Sequence, residues 1–236
     1  MTRAGGVSVV IPTFNEAESI GAVVAELPRD IVGRILVVDG GSTDRTQEEA
    51  RAAGAEVITV GRGYGLACLA GAQAASAGDI VVFMDGDGAD DPIAIAALVA
   101  PVRRGDYDFV ISSRARGRRE PGSMAAHQLL AGHAAGLLTK LLYGVRYTDM
   151  SAFRAIRRET LLGLGMRELT YGWNLEMQMR AARAGLRVLE LPVAYRRRRG
   201  GESKVAGSLR GSLKAGAKIM STFVRVAAEP MRERAL

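Results

Sequence analysis

Apolar residues come in short unbroken runs through the first 112 positions: VSVVIP from Val7, RILVVDGGS from Arg34, AEVITVG from Ala55, DIVVFMD from Asp79 and YDFVISS from Tyr107. Each run closes on glycine, proline, serine or an acid, which predicts strands buried on both faces. Between them lie EAESIGAVVAELP, STDRTQEEARAAG, GYGLACLAGAQAASAG and DPIAIAALVAPVRRG, each long enough for a helix and ended by Gly or Pro. Strand and helix in alternation predict an α/β layer with a mainly parallel central sheet and right-handed crossovers. Ser42 or Thr43 is expected to cap the second helix, and Asp91 with Pro92 to cap and open the fourth.

After Ser113 the pattern changes. RARGRREPGS is a basic loop, MAAHQLLAGHAAGLLTKLLYG has helical spacing, and DMSAFRAIRRETLLGLG suggests a short strand and a helix. YGWNLEMQMRAARAG is another helix, and LRVLELPVAYRRRR supplies one or two strands. No linker rich in Ser, Gly or Pro divides the chain, so residues 1–236 are expected to form a single domain. Within it, 1–112 is a nucleotide-binding half, 113–204 an acceptor-side half and 205–236 an amphipathic basic helix.

Composition narrows the picture. The chain has 236 residues, 48% of them hydrophobic and 5% aromatic, so a sizeable core must be built mainly from aliphatic side chains. The single Cys68 excludes an internal disulfide framework and a cysteine-rich zinc site, and its helical context reads as core. No signal-peptide pattern precedes the first strand, and no window offers 18 uncharged apolar residues. A cytoplasmic protein is expected. The net charge of +7 favours anionic partners.

The stretch IVVFMDGDGADDP, residues 80–92, carries the first sharp chemistry. Asp85 and Asp87 at a strand end repel each other unless something positive lies between them, and a divalent cation with hard-oxygen preference is the simplest partner. Gly86 between them is expected to let the backbone bend tightly. The plainer reading of an isolated D-x-D is a solvated acidic turn. His127 and His133, six apart on an apolar helix, read as structural.

Taken in order, VVIPTFNEAESI, ILVVDGGSTDRT and VVFMDGDGADDP resemble the family 2 glycosyltransferases, and DMSAFRAIRRETL with RRRRGGESK resembles the polyprenyl-phosphate sugar synthases among them, of which dolichyl-phosphate mannose synthase is a type. The resemblance spans residues 7–210. It implies a GT-A fold, Rossmann-like, and an inverting, metal-dependent transfer of a hexose from a nucleoside-diphosphate sugar, UDP-glucose or similar, to a polyprenyl or dolichyl phosphate. Mg2+ or Mn2+ is the implied cofactor, held by Asp85 and Asp87, with Asp85 also near the ribose. Pro12, Glu16 and Asp39 are implied donor contacts, Glu16 to a ribose and Asp39 to a uracil edge or ribose. Arg198, Ser203 and Lys204 fall in an R-x-x-G-x-S-K segment suited to diphosphate oxygens; its plainer reading is a basic solvated loop. Some lipid-phosphate synthases carry Gln where Ala89 stands here, leaving water, Asp90 or Asp91 to complete the metal shell.

On the acceptor side Arg114 matches a position associated with acceptor phosphate, with Arg116, Arg118 and Arg119 adding attraction. Asp149 is the first candidate for sugar contact or a general base, and Glu176 the second, with Tyr171 and Trp173 packing beside the sugar ring. A phosphate acceptor needs positioning rather than a base. In the last helix Leu209, Leu213, Met220, Phe223, Val224 and Ala227 fall on one side, and Arg210, Lys214, Lys218 and Arg225 form a basic stripe. Such a helix suits an anionic membrane surface, peripheral on the inner face of the plasma membrane, or packing on the domain.

Other classes fit less well. The segment VVFMDGDGA also resembles the D-x-D-G-T of haloacid-dehalogenase phosphatases, but three strands precede it and Ala89 replaces the Thr. A nucleotidyltransferase lacks its glycine-rich basic signature here. A nucleic-acid binder lacks an aromatic platform, so no nucleic acid is expected as partner. A family 2 enzyme acting on a non-lipid alcohol or glycan is the nearest alternative.

Overall fold

The computed structural model describes residues 6–200 and 209–229. Five strands form where the apolar runs place them: β1 (Val7–Thr13), β2 (Arg34–Asp39), β3 (Glu56–Thr59), β4 (Ile80–Phe83) and β5 (Phe109–Ser113). Helices α1 (Ile20–Ala25), α2 (Thr46–Ala52), α3 (Tyr64–Ala74) and α4 (Ile95–Arg104) alternate with them. The second half adds α5 (Ala126–Tyr143), β6 (Arg154–Arg157), α6 (Arg158–Gly163), α7 (Trp173–Arg183), β7 (Val188–Pro192) and α8 (Leu209–Ala228).

The strands make one sheet in the order β3-β2-β1-β4-β6-β5-β7. All neighbours are parallel except β6, which runs antiparallel to both β4 and β5. The insertion of β6 makes the second half part of the same sheet. Helices cover both faces, and the two main clusters of buried side chains divide along the pleat. Val9, Ile11, Val37 and Val82 face one cluster; Val10, Leu36, Val38 and Phe83 face the other. Every residue of β4 and β5 is buried, as their unbroken apolar character requires. The result is an α/β fold, mostly parallel and flanked by helices, of the kind the GT-A expectation requires.

Local expectations fared unevenly. Asp91 caps the 3-10 turn that Pro92 opens, its Oδ1 accepting from the Ile93 N–H at 3.2 Å. Ser42 and Thr43 do not cap α2, which begins at Thr46 with Arg45 at the N-cap position. Ser42 instead turns its hydroxyl back onto Asp39. Cys68 is buried in α3 as core.

The last helix packs on the domain in its described part, and on a different face from the one the spacing picked out. Thr222 and Val226 are buried, with Ile219 and Phe223 half-buried beside Leu175 and Met179 of α7 and Ala135 of α5. Met220 and Val224 remain exposed. The basic stripe is partly neutralised, since Lys218 pairs with Glu168 at 3.2 Å and Arg225 with Glu176 at 2.9 Å. The side chains of Leu209, Arg210, Leu213 and Lys214 lie outside the described residues. Among the described residues, no helix is long and apolar enough to cross a membrane.

Candidate active site

The C-terminal ends of β1, β2 and β4 open onto a cavity of about 840 Å³, the place where open α/β sheets bind ligands. Its lining includes Pro12, Glu16, Asp85, Asp87 and Arg198 from the sequence-derived set, together with Phe14, Arg62, Tyr64, Thr170, Tyr171, Lys218 and Ser221.

The loop after β1 is locked to the loop after β2. Asn15 takes a left-handed backbone (φ 52°), and its side-chain oxygen accepts from Thr43 N–H at 2.9 Å while its own N–H donates to Ser42 Oγ at 2.8 Å. Glu16 N–H donates to Thr46 Oγ1 at 2.8 Å, which aims the Glu16 carboxylate at the cavity. Asp39 is fully buried beneath this junction and accepts from the N–H groups of Gly41 and Ser42, and from Gln47 Nε2 at 2.8 Å. Gly40, not Asp39, reaches the cavity wall, so Asp39 shapes the loop that a donor would meet.

Asp85 and Asp87 follow β4. A Cβ on Gly86 would come within 2.9 Å of Thr13 Cγ2, so glycine there permits close approach to β1. The tight turn expected of Gly86 belongs to Gly88, at φ +78°. Asp87 Oδ1 accepts from Ala89 N–H at 3.0 Å. Burial, then the neighbouring Asp87 charge, push the Asp85 carboxyl up to about 7. Burial and then Asp85 also push up Asp90, which accepts from Asp85 N–H at 3.3 Å. Asp91 is committed elsewhere, to its cap and to Arg196 at 2.9 Å. The Tyr64 phenol, held well above its ordinary pKa by burial and by Asp85, stays a donor 3.5 Å from Asp85 Oδ1.

The four consecutive arginines are anchored, against the reading of a solvated basic loop. Arg196 N–H donates to Ala89 O at 2.8 Å and Arg199 N–H to Asp87 O at 2.9 Å, so this segment runs alongside the acidic loop. Arg198 reaches both oxygens of Glu16 at 3.2 Å and lies 3.7 Å from Asp87. Arg199 pairs with Glu26, and Arg197 donates to Pro121 O at 2.6 Å. Ser203 and Lys204 fall outside the described residues.

The acceptor-side candidates sit differently. Asp149, 1% exposed at its side chain, is clamped by Arg114 through Nε at 2.8 Å and Nη2 at 2.7 Å, and by the Arg114 N–H at 2.9 Å. Burial alone raises its pKa, but the Arg114 pair more than offsets this and holds it below the ordinary value. Neither residue lines the cavity. Arg114 stacks 5.0 Å above the Tyr195 ring, and its charge favours ionised Asp85 and Asp90. Glu176 lies wholly buried away from the cavity, accepting from the N–H groups of Arg167 and Glu168 and pairing with Arg180 at 3.0 Å and Arg225 at 2.9 Å. It joins α7 to α8, and the expectation of a base there gives way to this placement. Tyr171 lines the cavity, whereas Trp173 is core, edge-on to Phe83. His127 and His133 are exposed on α5. Arg116 pairs with Glu190 at 3.8 Å; Arg118 and Arg119 are exposed.

Residue patterns passed over Arg62, whose guanidinium lies 3.8 Å above the Phe14 ring, and Tyr64. Both follow β3, so the rule that ligands meet strand ends would have found them. Lys218 enters the sequence reading only through the basic stripe of the last helix, and no local signal marks Ser221.

Comparison with known proteins agrees with this geometry. A family model described as Glycosyl transferase family 2 matches residues 8–164. An uncharacterised glycosyltransferase of Mycobacterium tuberculosis is 41% identical over 212 residues, covering 88% of this chain and 93% of its own. An undecaprenyl-phosphate mannosyltransferase of Micrococcus luteus is 34% identical over 224 residues, covering 87% and 89%. Among solved structures, glucosyl-3-phosphoglycerate synthase from Mycobacterium tuberculosis, in complex with Mn2+, UDP and phosphoglyceric acid, superposes with a TM-score of 0.76 at 26% identity, over 96% of this chain and 80% of that one. The same synthase has been crystallised with Mg2+ and UDP. With a strand-end cavity, an Asp85/Asp87 pair and these relatives together, the chain belongs to glycosyl transferase family 2 and is a glycosyltransferase enzyme.

Proposed function

We propose that this enzyme transfers a hexose from a UDP-sugar to a polyprenyl phosphate, with inversion and with Mg2+ or Mn2+. The observation that carries the acceptor assignment is the state of the two acids best placed in sequence to act as base. Asp149 and Glu176 are both locked on arginines with lowered pKa values, and neither lines the cavity. The acids that do line it, Glu16, Asp85 and Asp87, surround the donor end. An alcohol acceptor needs a base, whereas a phosphate monoester arrives ionised and needs only positioning. The likeness to an undecaprenyl-phosphate mannosyltransferase supports the same acceptor class.

The donor set fits a metal of open coordination. No cluster of three or more acidic, histidine or cysteine ligands forms among the described residues, so the protein offers no closed cage. Two crowded aspartates, one of them raised by burial and then by the other's charge, match a cation that draws its remaining ligands from substrate phosphates and water. Asp85 and Asp87 would hold it, and when bound it supplies charge stabilisation to the departing diphosphate. Arg198, positioned by Glu16 beside Asp87, faces the same charge. Thr13 also lines the cavity, and its buried hydroxyl has no hydrogen-bond partner among the described residues. Phe14 and the Arg62 guanidinium are stacked on each other at the cavity wall and offer a nucleobase a flat face to lie against.

The test is transfer from a panel of UDP- and GDP-sugars to short-chain polyprenyl phosphate, with Mg2+, Mn2+ or chelator. Metal-dependent formation of a sugar-phosphate lipid is expected. Transfer to 3-phosphoglycerate or a glycan, with none to polyprenyl phosphate, overturns the acceptor assignment and leaves the donor site standing.

A further inference from the structure

Helix α5 is largely apolar, and its outer face is bare. Its 18 residues carry a single charge, Lys140. Gly132, Ala135, Gly136 and Thr139 make the inner face against the domain. On the opposite face Leu130, Leu137 and Leu141 are 72%, 54% and 74% exposed, with Ala134 and Leu138 exposed between them. These positions follow the 3.6-residue period and form one continuous stripe. A helix hydrophobic on every side is ordinarily buried on every side, and a patch of this kind marks an interaction surface.

We propose that the outer face of α5 is the surface by which this protein lies on an anionic lipid bilayer. The charges around the stripe select that occupant. Arg118 and Arg119 precede the helix, Lys140 lies near its end and Arg146 follows it; all four are exposed and none pairs with an acid among the described residues. A second copy of the chain fits worse, because antiparallel pairing of two α5 helices sets the cationic start of one against the cationic end of the other. An anionic headgroup layer meets both ends at once, while the leucines enter the acyl boundary along a helix roughly 27 Å long.

The orientation places the acceptor machinery close to lipid. The inner face of α5 abuts the backbone of Tyr147–Asp149, with a Cβ on Gly132 falling 3.4 Å from Asp149 Cα. Asp149 holds Arg114. Arg114 therefore lies about one helix thickness, roughly 10 Å, from the headgroups. The proposal moves the membrane-facing element from α8, whose described inner face is occupied by α7, to α5. It goes beyond the acceptor reading and stands without it.

The test is flotation of the full chain with vesicles of phosphatidylcholine alone and of phosphatidylcholine with phosphatidylglycerol, with neither donor nor acceptor present. Salt-sensitive binding to the anionic vesicles is expected. The exposed double substitution Leu137→Gln with Leu141→Gln should lower partitioning about tenfold or more. Arg118→Gln with Arg119→Gln should lower it about fivefold per charge. Both variants should keep the wild-type melting temperature, and the leucine variant should keep wild-type donor hydrolysis. Absence of flotation, or equal flotation by the leucine variant, overturns the proposal. So does a wild-type dimer in sedimentation that the leucine variant dissolves, since the face would then belong to a second copy. Vesicle binding without transfer to polyprenyl phosphate keeps the docking face and removes the acceptor reading; transfer without α5-dependent binding does the reverse.

Discussion

The two halves of this molecule treat acidic side chains in opposite ways. At the ends of the N-terminal strands Asp85, Asp87 and Asp90 crowd together, and burial with mutual repulsion drives Asp85 and Asp90 upward. Beyond residue 113 the buried acids are caged by cations: Asp149 by Arg114, Glu176 by Arg180 and Arg225, Glu168 by Lys218. Their pKa values are lowered despite burial. One half holds unspent negative charge for a ligand, and the other uses negative charge to join helices. Burial alone does not tell a site from a strut; the sign of the neighbours does.

The sharpest way to break this contrast is to delete charge on the site side. Asp87→Ala is expected to lower metal-dependent turnover by about 10³-fold while leaving the melting temperature near wild type, read by steady-state assay and calorimetry. Retained turnover would remove Asp87 from the site. Glu176→Ala should do the reverse, stranding Arg180 and Arg225 at a cost of about 3 kcal/mol, or roughly 6–12 °C in melting temperature. Its kcat measured well below the transition should stay within about threefold of wild type. A larger loss in kcat would return Glu176 to catalysis.

Titration separates the halves by sign. Asp85 and Asp90 have raised folded pKa values, so the folded state holds protons the unfolded chain has lost, and stability falls as pH rises above about 4, through about 7 for Asp85. Asp149, Glu168 and Glu176 have lowered values, so their contribution is full above the ordinary carboxylate pKa of about 4 and is lost as pH falls through the folded values. Metal-free melting temperature should therefore pass through a maximum at about pH 4. Asp85→Asn should flatten the alkaline limb, and Glu176→Gln the acid limb. The smallest effect is expected from Arg225→Met. This partly exposed, solvent-screened side chain should cost about 1 kcal/mol in denaturant melts.

Much of the first half was legible in the chain. β1 to β5 announce themselves as unbroken aliphatic runs, and Pro12, Glu16, Asp85, Asp87 and Arg198 all reach one cavity. The antiparallel entry of β6 between β4 and β5 was not legible, because pairing order is a non-local choice that no run of residues encodes. The fates of Asp149 and Glu176 were hidden for the same reason. Their partners Arg114 and Arg225 stand 35 and 49 residues away, and an acid in a helical pattern looks the same whether it faces substrate or guanidinium. Asp39 marks the boundary between the two cases. Its position at the end of β2 was readable, but the four donors that turn it under the loop were not.

The docking of α8 has a consequence for when the enzyme comes into being. The cavity wall includes Pro12 from the start of the chain and Lys218 and Ser221 from near its end. A nascent chain on the ribosome can complete its sheet while the cavity still lacks that wall, and with it the cover over Glu168 and Glu176. Glycosyl transfer thus begins only after α8 has left the exit tunnel, however early the sheet itself is complete.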